Sequence, residues 1–199
     1  MKRDSFMEKI FDNDRDIRQR LFVLNILVTE IVLAIALVEI ILTDPIFYDK
    51  YLMILAMLVV LIVGMVSVKK EVIKFGSAVM CFLLGIVYFP ITFINGGGIN
   101  GDAPLWFIYT ILLISILLSG KTRIIFFSAE ILIATVCYYI NIRHPEFVTE
   151  SDRVSGNIFS YVALIMISIA IVIMVGIEIT LFEKEKKRTE EQKKEIEML

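Results

Sequence analysis

Residues 158–182 read IFSYVALIMISIAIVIMVGIEITLF, and Glu178 is the only charged residue among them. Residues 183–199 read EKEKKRTEEQKKEIEML and are mostly charged. The first stretch has the length that a helix needs to cross a hydrocarbon core about 30 Å thick, whereas the second cannot lie in lipid. No Gly or Pro occurs from residue 178 onward, so we predict one helix that crosses a membrane and continues into water.

The composition of the whole chain also indicates a membrane protein. Hydrophobic residues make up 58% of the 199 residues and charged residues 21%, against about 45–50% and about 25% in soluble domains. A net charge of −2 argues against nucleic acid as a partner. The sequence has one histidine and no nucleophile, metal-ligand or acid–base motif. We therefore expect no catalytic residue, no metal site and no cofactor.

Six apolar blocks are interpreted as membrane spans, which need about 17–25 residues each. None of them alternates polar and apolar residues as the strands of a membrane barrel do. The predicted fold class is therefore all-α: a polytopic membrane protein with six transmembrane helices, of which the fourth is the shortest. The blocks are residues 21–42, 51–68, 75–94, 104–119, 124–142 and 158–182.

The basic residues predict the orientation of these spans. Of the 20 Lys and Arg residues, all but Lys50, Arg143 and Arg153 fall in segments that an even number of crossings places on one side. Positive loops stay in the cytoplasm, so both chain ends are predicted to be cytoplasmic. The chain then divides into an amphipathic leader at residues 1–20, a membrane domain at residues 21–182 and a cytoplasmic exit helix at residues 183–199.

Carboxylates inside the apolar blocks are the first candidates for chemistry, because an ionised one at mid-bilayer costs about 2.5–3.5 kcal/mol. Glu30 and Glu130 lie deepest, whereas Glu39 and Glu178 lie near the ends of their spans. Glu30 and Glu39 are nine residues apart, which places them on opposite faces of one helix. Glu30 and Glu130 are read either as proton- or ligand-sensing groups or as static hydrogen-bonding groups between helices.

The segment between the third and fourth blocks, residues 88–107, reads YFPITFINGGGINGDAPLWF. Pro90 should bend or unwind the end of the third span, and the glycines of the segment permit positive φ and converging backbone amides. Asp102 is predicted to be an N-cap. The segment is interpreted either as an extracellular pocket for a small molecule or as a tight turn between helices. The candidate pocket residues are Tyr88, Pro90, Asn95, Gly96, Gly97, Gly98, Asn100, Asp102, Trp106 and Tyr109.

The exit helix is the second candidate functional segment. A heptad frame places Phe182, Thr189 and Ile196 at one seam position and Glu178 at the other. The seam is only weakly apolar, so we expect a marginal coiled coil at most. We predict that these four residues transmit a signal from the membrane domain, and the alternative is a solvated charged end.

The chain resembles the N-terminal membrane sensor region of bacterial histidine kinases and GGDEF-type diguanylate cyclases. Four features carry the resemblance: six spans with both ends inside, the Phe-Pro and glycine-rich motif before Trp106, the Ser-Gly-Lys-Thr-Arg turn at residues 119–123, and the charged exit helix. The resemblance covers essentially the whole chain. It implies a homodimeric input module in the bacterial inner membrane, with a kinase or cyclase following the exit helix. The resemblance implies no particular ligand, and we expect a small molecule or a lipid as the signal. The alternative is a six-span solute-binding or transport subunit in which Glu30 and Glu130 line a cavity.

Overall fold

The computed structural model describes residues 17–43, 47–149 and 153–197, and these residues form helices joined by short turns, with no strand among them. Only the last four residues of the predicted leader belong to this part of the chain, and they are helical. The rest of the leader lies outside the described residues. An all-helical architecture is therefore confirmed.

The helices succeed one another with few intervening residues. A π-helical segment follows the third helix directly, and short 3₁₀ turns occur at Gly98–Asn100 and Pro145–Phe147. In chain order the elements are α1 (Ile17–Thr43), α2 (Phe47–Lys69), α3 (Ile73–Cys81), the π segment (Phe82–Tyr88), α4 (Phe89–Asn95), α5 (Ala103–Leu117), α6 (Gly120–Arg143) and α7 (Arg153–Glu197).

Five helical stretches in the described part of the chain are long and apolar enough to cross a membrane. The third combines α3, the π segment and α4 over Ile73–Asn95. Helix α5 is apolar but has only 15 residues, or about 22 Å at 1.5 Å per residue, which is shorter than a hydrocarbon core of about 30 Å. The block predicted to be the shortest is thus the one that falls short of a full span.

With α3, the π segment and α4 counted as one stretch, the successive helical stretches run in alternating directions between two ends of the bundle. The loop end carries residues 96–102, and the exit end carries the start of α6 and the polar half of α7. Helix α1 packs against α2, α5 and α7, while α6 packs against α4, α5 and the π segment. Helix α5 contacts both groups and lies in the middle of the bundle, where Leu113 and Ile114 are buried.

The outer surface of the bundle is apolar, which is the reverse of a soluble domain. Leu42 is 78% exposed, Val172 72% and Ile124 65%. Large aliphatic side chains at such exposure would be costly in water but are the normal surface of a helix in lipid. The apolar surface and the length of the helices are those expected of a membrane protein.

The π segment ends two residues before Pro90, at the place where the sequence predicts a bend. Proline has no amide hydrogen and its ring crowds the carbonyl of Ile86, so the regular helical hydrogen-bond pattern cannot continue there. The chain widens into a π-helix and resumes as α4, with Pro90 in the first turn, where a proline is tolerated. The predicted interruption is present as a widening of the helix.

Candidate functional site

Glu130 has the most unusual environment of the side chains in the described ranges. It lies in the middle of α6, it is 0% exposed, and neither of its carboxyl oxygens has a hydrogen-bond partner among the residues that the structure describes. Two other buried polar side chains of the bundle do bond to their own helices. Asn25 donates to the carbonyl of Leu21 on its own helix, and Thr110 donates to that of Trp106, a local solution common in apolar surroundings.

The carboxyl of Glu130 lies against the π segment. Gly85 lies at the centre of that segment, and a Cβ added to it would overlap Oε2 of Glu130 and the methyl group of Thr110. Gly85 is thus the residue that makes room for the carboxyl.

This arrangement limits what the site can do chemically. A carboxylate ion buried without a hydrogen bond is costly. The group is therefore stable in this position when it holds a proton, or when a bound molecule supplies a cation or a donor. π-helical turns inside longer helices occur frequently at functional sites. Glu130, Gly85 and Thr110 form what we call the buried carboxyl site.

Glu30, the other deep carboxylate, is not part of that site's packing. It lies on α1, it is only partly buried, and its Oε1 atom has no hydrogen-bond partner within the described ranges. The principal packing partners of α1 and α6 differ, and both contact α5. The adjacent Thr29, which is 0% exposed, shares a hydrogen bond of 2.8 Å with the hydroxyl of Tyr109 on α5. The static link between helices predicted for the carboxylates is thus provided by a threonine and a tyrosine.

The structure brings the aromatic residues of the glycine-rich segment together. The rings of Phe89 and Trp106 stack at 5.5 Å, and Trp106 meets Tyr109 edge-on at 6.1 Å. Tyr88 is buried and donates its hydroxyl to the sulfur of Met53. These side chains pack mainly on one another and on neighbouring helices, so they form a layer of the bundle core at its loop end.

Asp102 is the helix-capping residue by position, but its side chain is used differently from the prediction. It makes no capping hydrogen bond with α5. Its Oδ2 accepts a hydrogen bond of 2.7 Å from Nε1 of Trp106, one turn along the helix. Burial raises the pKa of Asp102 above its ordinary value of 3.8, and this hydrogen bond opposes the rise.

Two of the glycines in the loop need the conformation that only glycine adopts easily. Gly97 has φ of 89° and Gly98 of 61°, whereas Gly96 and Gly101 have negative φ. A Cβ at Gly98 would also overlap the side chain of Asn141 on α6. Of the four glycines at which the sequence permits a positive φ, two adopt one, and a Cβ at Gly96 or Gly101 would overlap a backbone carbonyl oxygen.

The loop is held by hydrogen bonds from other helices. Asn141 Oδ1 accepts from the amide of Ile99 at 3.0 Å, and Ser160 on α7 donates to the carbonyl of Gly101 at 2.9 Å. The side chain of Asn100 is exposed, and those of Asn95 and Pro90 are partly buried. The loop thus has direct contact with α7 near its first turns.

Helix α7 is continuous over 45 residues, from Arg153 to Glu197. Its first half is packed into the bundle through side chains such as Ala163, Ala170 and Met174, and from Glu183 its described side chains are exposed. The predicted unbroken exit helix is present up to Glu197. Phe182, Thr189 and Ile196 are exposed on it, and Glu178 is partly buried.

No metal site is present in residues 17–43, 47–149 and 153–197, where no three His, Cys, Asp or Glu side chains are grouped. His144 Nδ1 lies 3.1 Å from Oε1 of Glu146 in the exposed turn after α6. Hydrogen bonds from its own backbone and from His144 lower the pKa of Glu146.

Sequence reasoning missed the partners of several predicted residues. Gly85 and Thr110 beside Glu130, Thr29 beside Tyr109, and Asn141 and Ser160 around the loop were not singled out. Each is a small or polar residue within an apolar block, and that is the one signal the sequence offered. It does not say which helix such a residue faces.

Comparison with known proteins gives no relative: no family model matches the chain, and neither a curated protein nor a solved structure is significantly similar to it. The resemblance to bacterial sensor regions stays a prediction from the residues themselves.

Proposed function

We propose that the chain is the membrane input domain of a bacterial signal-transduction protein, with six crossings of the inner membrane and both ends in the cytoplasm. It senses a small molecule or a lipid and relays the signal through α7 to a kinase or cyclase that follows. The observation that supports this most is the length of α7. At 45 residues it extends about 68 Å, more than twice the thickness of a hydrocarbon core.

The contacts of α7 give the proposal a physical route. Ser160 joins the helix to the glycine loop, and the same helix emerges from the bundle after Phe182 with no break. A shift or rotation at the loop end is therefore carried to the exit end by one rigid element. The buried carboxyl site lies on α6, which also contacts the loop through Asn141, so a proton or ligand at Glu130 acts on the same loop.

Changing the phase of the exit helix tests the proposal. Residues 1–199 are fused to a cyclase output domain, and one to seven alanines are inserted between Lys186 and Lys187. Each residue turns the distal helix by 100°, so output should rise and fall with insertion length, and seven residues, close to two full turns, should restore the parental level. Output that is independent of insertion length contradicts the proposal.

The proposed homodimer, with two exit helices side by side, has its own test. Cysteine substitutions at Thr189 and Ile196, both on the predicted seam, should cross-link between chains under mild oxidation. Glu191→Cys, which lies 200° around the helix from residue 189, is the matched control and should cross-link less. Equal cross-linking at all three positions argues against this seam.

A second candidate function is proton- or cation-coupled transport, and it is favoured by the buried carboxyl site. Interrupted helices beside an intramembrane carboxylate are typical of substrate and ion sites in transporters. Vesicles that contain the purified chain would then accumulate a solute, and Glu130→Gln would abolish uptake. In the sensor proposal the same variant alters the output of the fusion protein and no solute accumulates.

A further inference from the structure

A basic cleft opens at the exit end of the bundle, away from the glycine loop and the buried carboxyl site. Its volume is about 410 Å³, and five helices contribute to its lining. Three cationic side chains line it from three different helices: Arg18 on α1, Lys74 on α3 and Arg123 on α6. Among the described residues of the lining, Glu178 on α7 is the one acidic side chain, so the formal charge of this described lining is +2.

The charges of Lys74 and Arg123 are not neutralised by ion pairs with other residues that the structure describes. Within the part of the chain that the structure describes, Lys74 has no hydrogen-bond or ion-pair partner, and Arg123 makes one long hydrogen bond, 3.5 Å to the carbonyl of Ser115. Glu178 is paired with neither of them. Cations gathered in this way repel one another, and an anion that enters the cleft relieves that repulsion.

Neutral hydrogen-bond donors of the cleft point to the same kind of ligand. Ser77 is 2% exposed, lines the cleft and has no hydrogen-bond partner for its hydroxyl among the described residues. Ser119 is the N-cap of α6 by position, yet its side chain does not cap the helix. The first backbone amides of α6 therefore receive no capping acceptor from Ser119. Thr122 and Arg123, in the same turn, line the cleft. A helix start of this kind favours phosphate oxygens.

The remaining walls are apolar. Leu21, Ile73 and Phe182 are part of the lining, and the cleft lies where the apolar helices end and the charged segments begin. An amphipathic ligand has its charged group at this level of a bilayer. Basic pockets between transmembrane helices bind the headgroups of anionic lipids for this reason.

We propose that this cleft binds a phosphate group, held by Lys74, Arg123 and Arg18 and by the start of α6. The phosphate belongs either to the headgroup of an anionic phospholipid or to a soluble phosphate ester. The inference does not depend on the proposed function. It does bring the ligand next to Glu178 and Phe182, so an occupied cleft contacts α7 just before that helix leaves the bundle.

Lipid binding by the full chain provides the test. The protein is placed in phosphatidylcholine nanodiscs, and phosphatidylglycerol is titrated in while bound lipid is counted by native mass spectrometry. Each cation near a headgroup contributes about 1 kcal/mol, or about a fivefold change in affinity, so Lys74→Gln and Arg123→Gln should each weaken binding about fivefold and their combination about 25-fold. Lys69→Gln and Lys121→Gln are the matched controls, because they remove charge at the same end without lining the cleft.

Glu178→Gln gives a result that misfolding cannot imitate. It removes the acidic side chain from the lining, so affinity should increase about fivefold.

The source of the phosphate is decided by a second arm, in which inorganic phosphate and glycerol phosphate are added to discs of phosphatidylcholine alone. A soluble ligand is indicated if inorganic phosphate or glycerol phosphate binds saturably and if Lys74→Gln and Arg123→Gln weaken that binding. A lipid is indicated if neither soluble phosphate binds while phosphatidylglycerol binds selectively. The proposal is overturned by no binding in either arm, or by equal losses in the cleft and control variants.

Discussion

The carboxyl group of Glu130 occupies the space in which Gly85 lacks a side chain. The two residues are on different helical stretches, and a Cβ at Gly85 would lie 3.1 Å from Cδ of Glu130 and closer still to one of its oxygens. A carboxyl with no hydrogen-bond partner in the described part of the chain is thereby enclosed between α6 and a π-helical turn. The first prediction follows from that contact.

Gly85→Ala should lower the stability of the bundle, because the new methyl group overlaps Glu130 and Thr110. Overpacking of this kind costs about 1–3 kcal/mol. Gly176→Ala is the matched control, since nothing lies within 4 Å of the position its Cβ would take on α7. In the Glu130→Ala background the cost of Gly85→Ala should be smaller. Unfolding in detergent gives all four values, and equal effects of the two glycine substitutions would contradict the contact.

The hydrogen bond between Thr29 and Tyr109 should couple α1 to α5. Both side chains are buried, and hydrogen bonds between membrane helices contribute about 0.6 kcal/mol on average and up to about 1.7 kcal/mol. Thr29→Val and Tyr109→Phe should therefore each lower stability by about this amount, and the double variant should lose little more than one of them. Thr135→Val removes an exposed hydroxyl that bonds only its own helix, and should have almost no effect. Fully additive losses would show that the two hydroxyls act independently.

Asn141 should control the order of the glycine loop. Its side chain accepts from the amide of Ile99 and faces Gly98, so Asn141→Ala leaves that amide without its acceptor. We expect hydrogen exchange at residues 97–100 to accelerate several-fold, while exchange in the middle of α5 stays unchanged. Asn141→Asp keeps an acceptor oxygen and should retain most of the protection. Unchanged exchange in Asn141→Ala would contradict this anchoring role.

Asp102 should give the loop end a dependence on pH. Its pKa is raised in the folded protein, chiefly by burial, so the folded state binds this proton more tightly than the unfolded state does. The stabilisation from this group is therefore complete below pH 3.8 and is lost as pH rises through the raised pKa. Asp102→Asn cannot titrate but keeps an acceptor for Trp106, so the stability of the wild type relative to this variant should fall as pH rises through that range.

Fluorescence measures this directly, because Trp106 is the only tryptophan in the chain and donates to Asp102. Unfolding is followed by its emission at a series of pH values in both proteins. A difference in stability that does not change with pH would show that Asp102 has the same proton affinity in the folded and unfolded states.

Much of the fold could be predicted from the sequence because it depends on local properties of the chain. The long apolar blocks, the place of the interruption before Pro90, the shortness of α5 and the continuity of α7 all follow from runs of residue types. Glu130 could also be selected, since a carboxylate within an apolar block is unusual wherever it occurs. Its surroundings could not, because Gly85 and Thr110 are ordinary residues in their own helices.

The sequence by itself determined that this chain forms apolar helices and, to within a few residues, where the apolar stretches lie, because hydropathy and helix-breaking residues act over a few turns. Only the tertiary structure decided which faces meet. Thr29 and Tyr109 are 80 positions apart, and the lining of the basic cleft comes from five helices. All six apolar stretches present many similar aliphatic side chains, so hydrophobicity does not distinguish one packing face from another. Steric fit at small residues such as Gly85 and a few polar contacts choose the arrangement, and these exist only once the helices are side by side.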